Sequence, residues 1–181
     1  MDPRILFLDD QLTENDREDS LGRYLDVLSS EGVVLVEASD TDVMLAELER
    51  HAKGNLRIDG FFIDLMLPHV PVGNGRGRDF RKWGVPSLDL HHDIGGAQVI
   101  KLMRHAHYAA QRADQNCPLH VTSYFVDVPI ILFTTYEDGV HVAKREEIEQ
   151  FCDSFVWKDS DNVEQQIIEW VHKLRNRNAQ P

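Results

Sequence analysis

Five short apolar runs, separated by segments with helical periodicity, constrain the fold more than any other feature of this sequence. The runs are apolar at nearly every position, which is typical of strands that are buried on both faces of a parallel sheet. They lie at residues 5–8, 33–36, 61–63, 129–133 and 154–157. Their alternation with helices predicts a three-layer, doubly wound α/β fold with five parallel strands and right-handed crossovers.

Between these runs, apolar residues recur at helical spacing, which predicts five helices. Ser39 or Asp40 is expected to cap the second helix. The last helix is predicted to begin at Asp161, because Glu164 follows three residues later in the pattern of a capping box. Its Trp170 is expected to be partly buried against the sheet.

Two connections are too long for a simple alternation of strands and helices. They are residues 69–92, which are rich in glycine and basic side chains, and residues 105–127. Ordered loops longer than about 12–15 residues are uncommon, and they tend to be functional or disordered. We therefore expect a single domain, residues 1–181, that carries two insertions. The first insertion follows Pro68, where it could cover a site, select a partner or mask the site.

Charge and hydropathy argue against several classes of function. Acidic residues outnumber basic residues by 31 to 19, for a formal charge of −12, so a nucleic-acid partner is not expected. No apolar stretch approaches the ~20 residues that cross a bilayer, and no signal peptide is seen. We therefore expect a cytoplasmic protein without a membrane partner. Two cysteines, Cys117 and Cys152, are too few for a disulfide framework and lack metal-ligand spacing.

Polar side chains stand where the apolar runs stop: Asp9, Asp10, Asp64, Thr134 and Lys158. The carboxyl ends of the central strands of an open α/β sheet converge on one crevice, where ligands bind. Three carboxylates in one pocket repel each other, so this arrangement needs a cation. Oxygen ligands without sulfur or imidazole are typical of Mg2+, which commonly binds one or two carboxylates and a phosphate.

Five segments combine these strand ends with their flanking residues: Ile5–Asp10, Phe62–Pro68, Gly95–Ile100, Pro129–Thr134 and Phe155–Lys158. In this order they resemble the motifs of the receiver domains of two-component response regulators, the CheY-like superfamily. The resemblance extends from about residue 4 to residue 174 and is interrupted by the two insertions. It implies a flavodoxin-like sheet with strand order 2-1-3-4-5.

The resemblance also implies roles for the acidic residues. Asp64 would be the phosphoacceptor, whose carboxylate attacks phosphorus and forms an acyl phosphate. Asp10 and Asp64 would bind Mg2+ directly, together with the backbone carbonyl of Met66. Asp9 would bind the ion mainly through water.

Three further residues acquire roles from the same resemblance. Thr134 and Lys158 would contact phosphoryl oxygens, and the Lys158 ammonium would neutralise charge on them. Phe155 would be an aromatic switch residue that acts with Thr134. The Thr134 hydroxyl can donate to an oxygen that is present only after phosphorylation, and this differential contact is what a switch requires.

The sequence departs from the family pattern at two positions besides the insertions. Asp159 follows Lys158, where the family usually has proline, so the loop that presents Lys158 is expected to differ. Thr135 replaces the small residue that usually follows the switch threonine, which would narrow access to the site.

The leading functional hypothesis is a stand-alone receiver of a phosphorelay that signals by binding and is not a turnover enzyme. Its partners would be a histidine kinase or phosphotransfer protein and a downstream protein target, and a homodimer remains open. The resemblance implies a partner-binding face built from the fourth helix, the fifth strand and the fifth helix, which here would include Val142, Phe155, Ile168 and Trp170. One alternative is a receiver-like interaction module that signals without phosphorylation. Another, an Asp-dependent phosphatase, would need an aspartate two residues after Asp64, where Met66 stands.

Overall fold

The computed structural model describes residues 2–12, 20–67, 95–104, 123–134 and 148–179. The strands in these ranges are β1 (Arg4–Leu8), β2 (Val34–Ala38), β3 (Gly60–Asp64), β4 (Ile130–Thr134) and β5 (Ser154–Trp157). The α-helices are α1 (Ser20–Ser30), α2 (Thr41–Gly54), α3 (Gly95–Arg104) and α4 (Val163–Asn178). A 3-10 turn, Ser123–Phe125, precedes β4.

The five strands form one parallel sheet in the order β2-β1-β3-β4-β5. This topology confirms the predicted doubly wound, flavodoxin-like fold. The register places Asp64 of β3 opposite Phe133 of β4, and Thr134 of β4 opposite Trp157 of β5. The carboxyl ends of the three central strands β1, β3 and β4 therefore lie side by side at the end of the sheet where all five parallel strands finish.

The apolar runs form strands because the sheet is covered on both faces. All residues of β3 and β4 are buried, and successive side chains point to opposite faces. Leu6, Phe61 and Leu132 pack in the cluster that includes residues of α2 and α3. Phe7, Phe62 and Phe133 pack in the cluster that includes residues of α1 and α4. Burial of both faces explains why the runs of the central strands β1, β3 and β4 lack a polar position, whereas β2 and β5 at the edges of the sheet are only partly buried.

Helix α4 packs closely against β3 because Gly60 has no side chain. A Cβ atom at Gly60 would lie 2.6 Å from Trp170 Cη2 and 2.8 Å from Leu174 Cδ1. The Trp170 ring contacts Phe62 edge-on, with ring centroids 6.1 Å apart, and only 4% of the residue is exposed. Trp170 is therefore a core residue, and the prediction of partial burial underestimated how closely α4 approaches the sheet.

The two helix starts predicted from capping residues have different outcomes. Asp40 is the N-cap of α2, as predicted, and its Oδ1 accepts hydrogen bonds of 2.8 Å from the N–H groups of Asp42 and Val43. The capping box predicted for the last helix is wrong. Helix α4 begins at Val163 after Asn162, whose side chain makes no capping hydrogen bond. Glu164 instead forms an ion pair with Arg23 of α1, which draws its carboxylate away from the helix start.

Several predicted features lie mostly outside the described residues. These are the insertion at 69–92, most of the insertion at 105–127 and most of the helix predicted at 142–151. The organisation of residues 1–181 as a single domain stays a prediction. Among the helices of the described ranges, none is both long enough and apolar enough to cross a bilayer.

Candidate functional site

The structure brings the predicted acidic residues together at the carboxyl edge of the sheet. Asp9 and Asp10 directly follow β1, and Asp64 is the last residue of β3. Each offers a carboxylate oxygen, and these three atoms all lie within 4.8 Å of one another. Asp9 and Asp64 are buried, whereas Asp10 is the most exposed of the three. Two of the three mutually repelling groups are therefore largely removed from water.

Lys158, which directly follows β5, places its ammonium between two of these carboxylates. Its Nζ donates to Asp9 Oδ2 at 2.9 Å and lies 3.4 Å from Asp64 Oδ1. Burial disfavours the charged form, but the attraction of Asp64 and Asp9 outweighs it, so the pKa of Lys158 is raised. The neighbouring carboxylates therefore favour the charged form of Lys158 at this site.

Asp64 is incompletely satisfied. Its Oδ1 atom is buried and accepts no hydrogen bond from any described residue. Burial, and then the charges of Asp9 and Asp10, raise the pKa of Asp64 to about 7, although Lys158 and the backbone N–H of Met66 oppose the shift. The single positive charge of Lys158 does not balance the three carboxylates of this pocket. A buried Asp64 oxygen that accepts no hydrogen bond from the described residues, the cluster of hard oxygen ligands and the excess negative charge fit a divalent cation such as Mg2+.

Asp9 has partners at both carboxylate oxygens. Its Oδ1 accepts a hydrogen bond of 2.9 Å from the N–H of Gln11, while Oδ2 accepts the bond from Lys158. The backbone of Asp9 is also fixed, because its N–H donates to the carbonyl of Ala38 at 3.1 Å. Asp9 therefore has less capacity than Asp64 to bind a cation directly.

Thr134 and Phe155, the predicted switch residues, lie on neighbouring strands. Thr134 is the last residue of β4 and is fully buried, and its carbonyl accepts a hydrogen bond of 2.7 Å from the N–H of Lys158. Phe155 of β5 is half-buried and packs against Trp157, with ring centroids 4.9 Å apart. The structure thus places Thr134 beside the lysine of the site and Phe155 on the adjacent edge strand.

The predicted partner-binding face needs one correction. Trp170 cannot contribute to it, because the residue is buried in the core between α4 and β3. Phe155 and Ile168 are half-buried, and Val142 lies outside the described residues.

Gly96 brings α3 into direct contact with the backbone of Asp64. A Cβ atom at Gly96 would lie 2.0 Å from the Asp64 carbonyl oxygen and 2.8 Å from Leu65 Cα. The N–H of Gly96 donates to the carbonyl of Leu65 at 3.1 Å. The paired glycines at the start of this helix match a motif in the sequence, but the contact of Gly96 with the Asp64 backbone is visible only in the structure.

Tyr24 and Phe133 contact Lys158, although the sequence pattern alone identifies them only as apolar positions of a helix and a strand. The Tyr24 hydroxyl donates to the Lys158 carbonyl at 2.8 Å. Burial raises the pKa of Tyr24, which keeps this hydroxyl protonated. The Phe133 ring lies beneath the Lys158 ammonium, with Nζ 5.0 Å from the ring centroid. No local pattern links these residues, because the contacts join distant parts of the chain.

Comparisons with known proteins agree with this geometry. No protein-family model and no curated protein matches the sequence at a significant level. Among solved structures, the receiver domain of a Francisella response regulator superposes with a TM-score of 0.55 at 15% identity, covering 98% of this chain and 99% of that chain. A CheY-like receiver domain protein from Methanospirillum hungatei superposes with a TM-score of 0.53 at 15% identity, with coverage of 98% and 99%.

A third solved structure, a response regulator receiver domain protein from Clostridium thermocellum, has a TM-score of 0.51 at 13% identity and covers 97% of this chain and 96% of that chain. At such low identity these likenesses establish the fold, and the strand order agrees with it. The chain therefore has the fold of the CheY-like response-regulator receiver domains, as the motifs of its sequence indicated.

Proposed function

We propose that this chain is a phospho-accepting receiver that signals by changing a binding surface and that Asp64 is the acceptor. The observation that carries the proposal is the state of Asp64. One of its oxygens is buried and accepts no hydrogen bond from the described residues, lies 3.4 Å from a lysine ammonium, and belongs to a cluster of three carboxylates. A nucleophile with an available oxygen, next to a fixed cation, suits attack on an anionic phosphoryl group.

The cation that fits this site is Mg2+. Asp10 and Asp64 would hold it directly with the backbone carbonyl of Met66, and Asp9 would act through water because both of its oxygens already have partners. When bound, the ion would supply positive charge for the oxygens of the incoming phosphoryl group.

In the proposed reaction, a carboxylate oxygen of Asp64 attacks the phosphorus of a phosphodonor. A bond forms between this oxygen and phosphorus, the bond from phosphorus to the donor breaks, and the donor leaves with the electron pair. The buried Lys158 ammonium offsets charge on the phosphoryl oxygens, so catalysis consists mainly of positioning and electrostatics. The Thr134 hydroxyl gains a phosphoryl oxygen as acceptor only in the product, which favours one state of the protein.

The proposed partners follow from this chemistry. The donor would be a phosphohistidine of a histidine kinase or phosphotransfer protein, and the output would be the binding of a protein target or a second copy of the chain. Thr134 and Phe155 would link phosphorylation to the surface at β5. Such a protein is a signalling module of the cytoplasm rather than a turnover enzyme.

The experiment that tests the proposal is incubation of the full chain with acetyl phosphate, with and without Mg2+, followed by intact mass measurement. We expect a Mg2+-dependent gain of one phosphoryl group that Asp64→Asn abolishes. Asp59→Asn is the matched control. Asp59 is also buried, but it precedes the first residue of β3 and so lies at the amino-terminal end of the strand, opposite to Asp64. If the wild-type chain gains no phosphoryl group, the alternative of an interaction module that signals without phosphorylation replaces this proposal.

A further inference from the structure

We propose that Tyr24 and Phe133 are positioning residues that hold the Lys158 ammonium against the acceptor carboxylate of Asp64. The inference rests on the proposed function, because it concerns how the phosphoryl-binding lysine is kept in place. It assigns to the α1 helix and to an aromatic residue of β4 a part in the chemistry of the site.

The first observation is that both backbone polar groups of Lys158 are held by other elements. Its N–H donates to the Thr134 carbonyl at 2.7 Å, and its carbonyl accepts the Tyr24 hydroxyl at 2.8 Å. Tyr24 is only 4% exposed, so little water competes for this hydrogen bond. The residue that follows, Asp159, is exposed and lies in a turn that a hydrogen bond of 3.1 Å from the Ser160 N–H to the Trp157 carbonyl closes, so the two contacts of the Lys158 backbone add to this local restraint.

The second observation concerns the ammonium. Lys158 Nζ lies 5.0 Å from the centroid of the Phe133 ring, which is within the ~6 Å over which an aromatic face attracts a cation. The Tyr24 ring meets the Phe133 ring edge-on, with centroids 4.8 Å apart and an interplanar angle of 87°. Tyr24 therefore supports both the backbone of Lys158 and the ring beneath its ammonium.

These contacts matter because the ammonium has a competing partner. Lys158 Nζ is already closer to Asp9, at 2.9 Å, than to Asp64, at 3.4 Å. If the backbone or the ring no longer restrains Lys158, the ion pair with Asp9 alone can satisfy it. The phosphoryl group would then lose a cation, while the three carboxylates that would bind Mg2+ would be unchanged.

The test compares two variants with two matched controls. Tyr24→Phe removes the hydroxyl and keeps the ring against Phe133, and Phe133→Leu removes the aromatic face and keeps an apolar side chain. Tyr124→Phe removes the hydroxyl of a residue that is 73% exposed and lies on the 3-10 turn before β4. Phe61→Leu shortens an equally buried side chain that packs in the core cluster on the opposite face of the sheet.

The first readout separates phosphoryl binding from metal binding. Beryllofluoride, a mimic of the phosphoryl group, is titrated at saturating Mg2+, and Mg2+ is titrated alone. We expect Tyr24→Phe and Phe133→Leu each to weaken beryllofluoride binding about 5-fold, with Mg2+ affinity within about twofold of wild type. Both controls should retain both affinities. A parallel loss of the two affinities would show a general structural role and overturn the proposal.

The second readout does not depend on phosphorylation. In protein that carries isotopically labelled lysine, NMR measures the rate at which the protons of the Lys158 ammonium exchange with water. We expect exchange to be several-fold faster in Tyr24→Phe and Phe133→Leu than in wild type or the controls. Unchanged exchange in both variants would refute the positioning role. If wild type binds no beryllofluoride, the proposed function is wrong, and the exchange measurement still decides whether the two aromatic residues hold Lys158.

Discussion

Replacing Gly96 by alanine would place a methyl group against the backbone of the proposed acceptor. The added Cβ would lie 2.0 Å from the Asp64 carbonyl oxygen, whereas ordinary van der Waals contacts are 3.4–4 Å. Both neighbouring groups are backbone, so no side-chain rotation can relieve the contact. Helix α3 and the Asp64–Leu65 segment must therefore separate by at least about 1 Å.

The cost can be worked out from three contributions. Overpacking of this kind typically costs about 1–3 kcal/mol. The hydrogen bond of 3.1 Å from Gly96 N–H to the Leu65 carbonyl would be strained or lost, at a net cost of about 1 kcal/mol. The better helix propensity of alanine returns about 1 kcal/mol. We therefore expect Gly96→Ala to lower the free energy of unfolding by about 2 kcal/mol.

Two assays on the same protein check this prediction. Urea denaturation measures the free energy of unfolding, and the rate of phosphoryl uptake from acetyl phosphate reports the displacement of Asp64. A shift of about 1 Å at a reacting group can lower a rate on the order of 100-fold. Gly54→Ala is the control, because a Cβ at Gly54 would meet only the flexible Leu56 side chain at 3.3 Å. If Gly96→Ala keeps the stability and the phosphoryl uptake of the wild type, the close approach of α3 to the Asp64 backbone constrains neither property.

Three further predictions concern charged side chains. Asp10→Asn should weaken Mg2+ binding in calorimetry and raise the stability of the metal-free protein, because it removes a like charge from the cluster. Without Mg2+, Asp64 should make the free energy of unfolding decrease as the pH rises from about 4 to about 7. Its pKa is raised to about 7 by burial, so the folded chain binds a proton that the unfolded chain has released. Denaturation at several pH values should show a smaller fall in Asp64→Asn and in wild type with Mg2+. Arg104→Lys should cost about 2 kcal/mol in urea denaturation, because an ammonium cannot reproduce the guanidinium contacts with the Phe151 carbonyl and the Asp153 carboxylate.

The strand ends of the site could be predicted from the sequence because each signal is local. A residue such as Asp64 follows a fully apolar run, and the topology of a doubly wound sheet then brings the carboxyl ends of neighbouring strands together. The clustering of Asp9, Asp10 and Asp64 follows from that geometry without knowledge of any side-chain contact.

The supporting contacts could not be predicted because they depend on packing between distant segments. Tyr24 repeats at helical spacing, which identifies a buried face but not the hydrogen bond to the Lys158 carbonyl, 134 residues later in the chain. Glu164 fits a capping box locally, but the ion pair with Arg23 competes for its carboxylate. The burial of Trp170 depends on the absence of a side chain at Gly60. Tertiary contacts decided each of these outcomes.

The proposed function requires that Asp64, and no other carboxylate of the cluster, accepts a phosphoryl group. The most direct measurement is to treat the phosphorylated chain with borohydride, which reduces an acyl phosphate of aspartate to homoserine, and then to locate homoserine by peptide mass mapping. We expect homoserine at position 64 alone, and only when acetyl phosphate and Mg2+ are both present. Homoserine at position 9 or 10, or none anywhere in the chain, would contradict it.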